Sequence, residues 1–315
     1  MKVLVVGAGA VGQVYGYYFH LGGCEVTFLV REKYQEEVAQ GMTFFHLNKG
    51  KNPDPIFFKK YSVISNMPDI QKTNWDLVLI TLPSDALYTP WLGEFASQVN
   101  RTASIISLQP GTYDRGEICK YFSSEKVISG MITLIAFSTP LDNEGPQTKG
   151  MAYWFPPVMK AFFDGEKIQL DKIVTTLKKG GFPATKKSFL KNPSEMIFAS
   201  TFLTLFIRIL EINDWKLNSF NRPEVSTSLK VSTQEAFKVI SNKFSVKIPW
   251  IPSLLSPFLF SLVIRLSLWL MPFDLETYLK IHFTKVGVQM KRNRLELLNE
   301  AQGLKLSIPM LEKLG

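Results

Sequence analysis

The stretch from Lys2 to Val30 constrains the fold more than any other part of the chain. Lys2-Val3-Leu4-Val5-Val6 is short, apolar and β-branched, and it reads as a buried strand. Gly7-Ala8-Gly9-Ala10-Val11-Gly12 then opens a helical stretch to Leu21, Gly22-Gly23 closes it, and Glu25-Val26-Thr27-Phe28-Leu29-Val30 reads as a second strand. A strand, a helix and a second strand within about thirty residues form a βαβ unit, which needs a parallel sheet covered by helices. The same opening residues imitate a secretory signal, with Lys2 before an apolar run and Ala8-Gly9-Ala10 as a cleavage site. The β-branched run and its glycine turn argue against that reading.

The glycine pattern carries chemistry. Gly7 permits a tight turn, Gly9 lets a ligand approach the backbone, and Gly12 lets the helix pack on the sheet. An anion would then sit on the free amides of the first helical turn, at the positive end of the macrodipole. Gly7, Ala8, Gly9, Ala10, Val11 and Gly12 are therefore the candidate pyrophosphate-binding residues. About 20 positions beyond such glycines an acidic residue would bind the ribose hydroxyls of NAD. Here Arg31 stands after the second strand. A guanidinium cannot accept those hydroxyl protons but can clamp a 2′-phosphate, and Lys33 adds positive potential against Glu32 and Glu36. NADPH is expected as cofactor, in preference to NADH.

Asp76-Leu77-Val78-Leu79-Ile80-Thr81 and Ala103-Ser104-Ile105-Ile106-Ser107-Leu108 read as further buried strands. Each ends in a loop, Leu82-Pro83-Ser84 and Gln109-Pro110-Gly111. Ligands of an open parallel sheet bind at the carboxyl ends of its strands, so Leu82, Pro83, Gln109 and Gly111 are placed to pack on the nicotinamide half. Lys126 to Thr133 resembles another strand, and Asp171 to Lys179 a helix capped by Gly180-Gly181. The first domain is expected to end near Lys191-Asn192-Pro193.

Composition narrows the class. The chain has 315 residues, 46% hydrophobic and 20% charged, which excludes disordered, collagen-like and coiled-coil readings. That length favours two domains. Cys24 and Cys119 lack metal-type spacing and read as free thiols in a reducing compartment, so a cytoplasmic protein is expected. The net charge of +9 is spread over pairs such as Lys178-Lys179, Lys186-Lys187 and Lys291-Arg292, with no polybasic run, and no nucleic-acid partner is expected.

Gly7 to Gly12 after an N-terminal strand, Arg31 after the second strand, the strand end at Thr81-Leu82 and Gln109-x-Gly111 after another strand together resemble the ketopantoate reductase (2-dehydropantoate 2-reductase) family. The resemblance implies an α/β fold, an N-terminal Rossmann-type doubly wound sheet over residues 1–190 followed by an all-helical C-terminal domain over 191–315 for substrate binding or dimerisation. It implies hydride transfer from NADPH to a small-molecule 2-oxo acid, with a lysine on the first long helix of the second domain as proton donor. Read without gaps over Met196 to Trp215, Phe198 falls at that lysine, and Phe202 and Phe206 fall at two asparagines. Pro110 stands for an asparagine after the fourth strand, Pro83 for a lysine after the third, and Gly287 near a glutamate of the C-terminal helix.

The departures leave the proton donor unassigned. Hydride delivery to a carbonyl carbon creates an oxyanion, and losing a positioned acid costs about 10²–10⁴-fold. His282 is the weak catalytic candidate, beside Lys191 and Glu195; Asn192-Pro193-Ser194-Glu195 also has the character of a helix start. Phe198, Phe202 and Phe206 share one helical face, which is ordinary core packing unless it faces a cleft, where it would favour a larger, more apolar ligand. Arg208 and Glu211 are spaced to pair. Trp250 to Phe273 is nearly all apolar, but Pro252, Pro257 and Pro272 leave only Phe258 to Met271 uninterrupted, short of the ~20 residues a transmembrane span requires. Trp250, Trp269 and Arg265 suit a peripheral membrane contact, whereas a homodimer face or domain core is the plainer reading. The function expected is an NADPH-dependent oxidoreductase; the alternatives are a nucleotide-binding relative without turnover and a membrane-surface binder.

Overall fold

The computed structural model describes residues 1–314 apart from 110, 112, 142–144, 158, 191–193 and 250–256, and only the backbone of 194, 257–259 and 261. Pro110, Lys191, Asn192, Pro193, Trp250 and Pro252 lie outside the described residues. The chain divides into two compact units, Met1–Leu190 and Lys191–Gly315.

The first unit is built on two sheets. Its strands are β1 (Lys2–Val6), β2 (Glu25–Leu29), β3 (Met42–His46), β4 (Ile56–Phe58), β5 (Ser62–Ile64), β6 (Leu77–Ile80), β7 (Ser104–Ser107), β8 (Val127–Gly130), β9 (Ile135–Thr139), β10 (Gly150–Trp154), β11 (Ala161–Asp164) and β12 (Ala184–Lys186). Its helices are α1 (Ala10–Leu21), α2 (Gln35–Ala39), α3 (Trp91–Gln98), α4 (Asp114–Cys119) and α5 (Lys167–Lys179). The large sheet runs β12-β11-β8-β7-β6-β1-β2-β5. Six neighbouring strands, β5-β2-β1-β6-β7-β8, are all parallel, and the chain reverses its direction of sheet growth at β1 and β6. That is the doubly wound order with its switch point, where a crevice opens beyond the strand ends. Only β11 breaks the parallel run, pairing antiparallel with β8.

Alternation along the strands explains why both faces are covered. Val3, Val5, Leu77, Leu79, Ile106 and Ile128 enter one apolar cluster with Tyr15, Phe19 of α1 and Leu177 of α5. Leu4, Val6, Val78, Ile80, Ile105 and Val127 enter the other with Leu92 and Phe95 of α3 and Ile118 of α4. Neighbouring residues of one strand thus feed opposite cores, as a period of two requires.

The strand expected over Lys126 to Thr133 ends at Gly130, where the chain turns to supply a second sheet. That sheet, β4-β3-β10-β9, has no counterpart in the sequence reading. Its central pairing is parallel and joins Phe44 to Met151, so no local pattern could announce it. It packs an aromatic cluster onto α1: Tyr17 lies 5.0 Å from Phe44, and the Tyr18 hydroxyl bonds that of Tyr153 at 3.1 Å.

The second unit is helical throughout its described residues, with α6 (Ser194–Ile212), α7 (Pro223–Phe244), α8 (Pro257–Leu270), α9 (Leu275–Lys285), α10 (Gly287–Gly303) and α11 (Pro309–Leu314). The α6 stripe is core. Phe198 is 2% exposed and tilts onto Phe237 of α7 at 4.6 Å. Phe206 stacks on Phe220 at 5.1 Å and meets Phe260 of α8 edge-on. Arg208 pairs with Glu211 at 2.9 Å and also donates to the Leu314 carbonyl, fixing the chain's last helix. Cys24 and Cys119 are free thiols, and no described helix is long and apolar enough to cross a membrane.

Candidate functional site

The turn after β1 shows how each glycine is used. Gly7 has φ +99°, a conformation that L side chains rarely adopt. A Cβ on Gly12 would lie 2.3 Å from the Gly7 carbonyl oxygen and 2.7 Å from Thr81 Oγ1, so α1 can cross the turn this closely only without a side chain there. Gly9 is the opposite case: a Cβ would meet nothing within 4 Å, and the backbone faces open space. Gly9 is also the N-cap of α1, with no side chain bonding the cap. The first-turn amides of a twelve-residue helix, around Ala10, Val11 and Gly12, are left to whatever occupies that space.

Neighbouring loops hold the turn in place. Thr81, just past β6, donates its hydroxyl to the Val6 carbonyl at 2.8 Å and to the Gly7 carbonyl at 3.1 Å. Gln13 donates from its side-chain amide to the Ala8 carbonyl at 2.8 Å. The Thr81 contact depends on β1 lying beside β6, whereas the Gln13 contact is local to the turn.

A cleft of about 990 Å³ opens at this edge of the sheet. Gly7, Ala8 and Gly9 line it, together with Arg31 beyond β2 and Leu82 and Pro83 beyond β6. Its further lining comes from α2 and the second sheet, including Glu37, Thr139, Lys149 and Met151. Arg31 is exposed, its guanidinium 5.1 Å from the centre of the Tyr34 ring and its Nη2 3.4 Å from the Tyr34 hydroxyl. Lys33 lies 4.9 Å from the same ring, so one aromatic face gathers two cations at the mouth. Lys149 lines the cleft too and is held at 2.6 Å by Glu37.

Gln109 and Gly111 are not among the residues lining the cleft. Gln109 donates to the Leu82 carbonyl at 2.8 Å and the Ile80 carbonyl at 3.2 Å, and accepts from Ser107 at 2.8 Å. It fixes the loop that carries Leu82 and Pro83. The Gly111 amide donates to Asp114 Oδ2 at 2.8 Å, and a Cβ on Gly111 would collide with that carboxylate. Asp114, 1% exposed, also accepts from Ser84 at 2.6 Å and Tyr88 at 2.9 Å, tying the loops after β6 and β7 together.

The catalytic candidates His282 and Glu195, and Phe198, lie in the helical unit. Phe198 is interior to the helical unit, and the ring face that the sequence offered as a conditional pocket wall is occupied by Phe237. His282 stacks on Tyr278 at 5.3 Å and meets Phe283 edge-on at 4.9 Å. Burial, assisted by the charge of Lys285, lowers its pKa below the ordinary histidine value, which keeps the ring neutral at pH 7. Glu195 lies in the first turn of α6 and is exposed.

A glycine turn at the switch point of a doubly wound sheet, followed by a helical unit, defines a two-part protein built on a Rossmann-type dinucleotide-binding fold. Residues 3–150 match the family described as ketopantoate reductase PanE/ApbA. That match covers most of the first unit and somewhat less than half of the chain. An uncharacterized oxidoreductase of Bacillus subtilis, YkpB, is 28% identical over 149 residues, which are 46% of this chain and 44% of that one. The chain therefore matches less than half the length of that curated relative. Among solved structures, a PanE/ApbA family ketopantoate reductase from Ralstonia eutropha aligns with TM-score 0.74 at 17% identity, covering 100% of this chain and 96% of the other. D-mandelate dehydrogenase in complex with NADH and anilino(oxo)acetate aligns with TM-score 0.72 at 14% identity, covering 100% and 96%.

Proposed function

We propose that this chain binds NADPH in the cleft of its first unit and reduces a 2-oxo acid or a related carbonyl compound to the alcohol. The observation that carries this reading is the uncapped start of α1, open at Gly9, in one cleft with Arg31. The pyrophosphate would take the amides of the first α1 turn, and the 2′-phosphate the Arg31 guanidinium. Lys149 is a second cation for that phosphate: it lines the same cleft just before β10, where the resemblance expects a lysine at Pro83 instead. To bind phosphate it must leave Glu37, which is an inexpensive exchange for so exposed an ion pair.

When bound, NADPH supplies a hydride to the carbonyl carbon and leaves an alkoxide that must take up a proton. Leu82 and Pro83, set by Gln109 and Asp114, offer apolar surface for the nicotinamide end. The substrate class rests on the family and on a fold neighbour whose ligand is itself an oxoacetate carrying an aromatic group. The two free thiols support a cytoplasmic setting.

One observation favours a second reading, a nucleotide-binding relative without turnover. Phe198, which the ungapped reading sets near the family's proton donor, is buried against Phe237. Titration of the protein with NADPH, followed by NADPH consumption with a panel of aliphatic and aromatic 2-oxo acids, separates the two. Oxidation with any of them establishes the reductase. Tight binding with no oxidation establishes the silent relative, and absence of binding to either pyridine nucleotide overturns both.

A further inference from the structure

Helix α8 spans Pro257–Leu270 and is apolar nearly all round, yet most of its described side chains are exposed. Phe260 meets Phe206 and Phe220, and Ile264, one turn on, is 9% exposed; these two fix the inward stripe. At 3.6 residues per turn, Leu262, Leu266 and Trp269 project from the opposite side. Leu266 is 55% exposed and Trp269 83%, and Val263 and Leu270, both exposed, widen the same face. Hydrophobic side chains exposed singly are common, but a continuous face of leucines ending in a tryptophan marks an interaction surface.

Charge selects the partner. From Ala236 to Phe273 the sequence contains no aspartate or glutamate, while Lys238, Lys243, Lys247 and Arg265 are all cationic. Lys243 is engaged by Glu300; Lys238, Lys247 and Arg265 are exposed. The carboxylates that follow are already committed, since Asp274 caps α9 through Thr277 and Glu276 receives the Leu217 amide and Lys216. A second copy laid on this face by two-fold symmetry would offer Arg265 no acid from this segment. An anionic lipid surface offers negative headgroups for Arg265 and acyl chains for the leucines, with Trp269 at the boundary between them. Fourteen residues make a helix of about 21 Å, too short for a hydrocarbon core of about 30 Å, so the helix would lie in the surface.

We infer that α8 is a peripheral membrane-docking helix, which seats the second unit on anionic bilayers by the Leu262–Leu266–Trp269 face. The test is co-sedimentation of the full chain with vesicles of phosphatidylcholine alone and of phosphatidylcholine with phosphatidylglycerol. The protein is expected in the pellet only with the anionic vesicles, and high salt should release most of it. The double variant Leu266→Glu, Trp269→Glu should lower binding at least tenfold, with circular dichroism and thermal melting as in the parent. If that variant fails to fold, Trp269→Gln, which removes the boundary ring without adding charge, should still weaken binding severalfold. Protein left in the supernatant with anionic vesicles overturns the inference. So does undiminished binding by a folded variant, or a dimer in light scattering that the same substitutions split, which would assign the face to a second copy. None of these results bears on NADPH binding.

Discussion

Single residues decide what the cleft can hold. Arg31 is the cation in the position where an acid would read a ribose, and its guanidinium is pre-placed against Tyr34. Arg31→Asp should weaken NADPH by at least tenfold while changing NADH affinity little, measured by fluorescence titration of both; equal losses would remove Arg31 from 2′-phosphate recognition. Lys149→Ala should weaken NADPH by a smaller factor, again sparing NADH, because its charge is shared with Glu37. Gly12 was legible from spacing, but the reason it cannot be replaced came from tertiary contact with Gly7 and Thr81. Gly12→Ala should cost about 1–3 kcal/mol in denaturant unfolding, since the offending atom is backbone and cannot rotate away. Tyr34 and Asp114 escaped the sequence reading, and Thr81 entered it only as a strand end. Their contacts run to residues whose nearness depends on folded strands and turns.

Among elements, the parallel strands could be read because burial on both faces leaves a continuous apolar run. β1, β2, β6 and β7 fall within a residue or two of the expected limits for that reason. β3, β4, β9 and β10 could not be read in the same way, because partly or fully exposed residues interrupt their apolar runs and β10 joins β3 from far along the chain. The loops after β6 and β7 act as one support because Asp114 accepts from Ser84, Tyr88 and the Gly111 amide. Asp114→Ala should therefore cost about 2 kcal/mol or more, by leaving buried donors unpaired, and should also weaken nucleotide binding through displacement of Leu82 and Pro83. Thermal melting with and without NADPH checks both parts; a variant that melts and binds as the parent would show that Asp114 supports neither loop.

For the whole molecule, two half-buried histidines make stability depend on pH. His46 of β3 stacks on Tyr153 at 4.7 Å, and burial with the nearby Lys49 charge lowers its pKa; His282 in the second unit is lowered chiefly by burial. A pKa lowered on folding means that the unfolded chain binds more protons below the ordinary value of about 6.5. Stability should thus be flat above that pH, as far as these groups decide it, and fall as pH drops toward their folded values. Denaturant unfolding between neutral and mildly acidic pH measures the loss, and His46→Phe should reduce it. No acid-side loss above the carboxylate range would show that both rings protonate freely in the fold.

The sequence by itself determined the strand, glycine turn and helix that open the chain, the cation at position 31 and the aromatic stripe on α6, because each is a local pattern whose spacing fixes its geometry. Tertiary structure decided the rest. It set Gly9 open and Gly12 closed and brought Lys149 to the cleft from a second sheet. It turned Phe198 into core and left Leu262, Leu266 and Trp269 of α8 exposed. These outcomes depend on which distant surfaces meet, and packing between segments settles that where the order of residues along the chain does not.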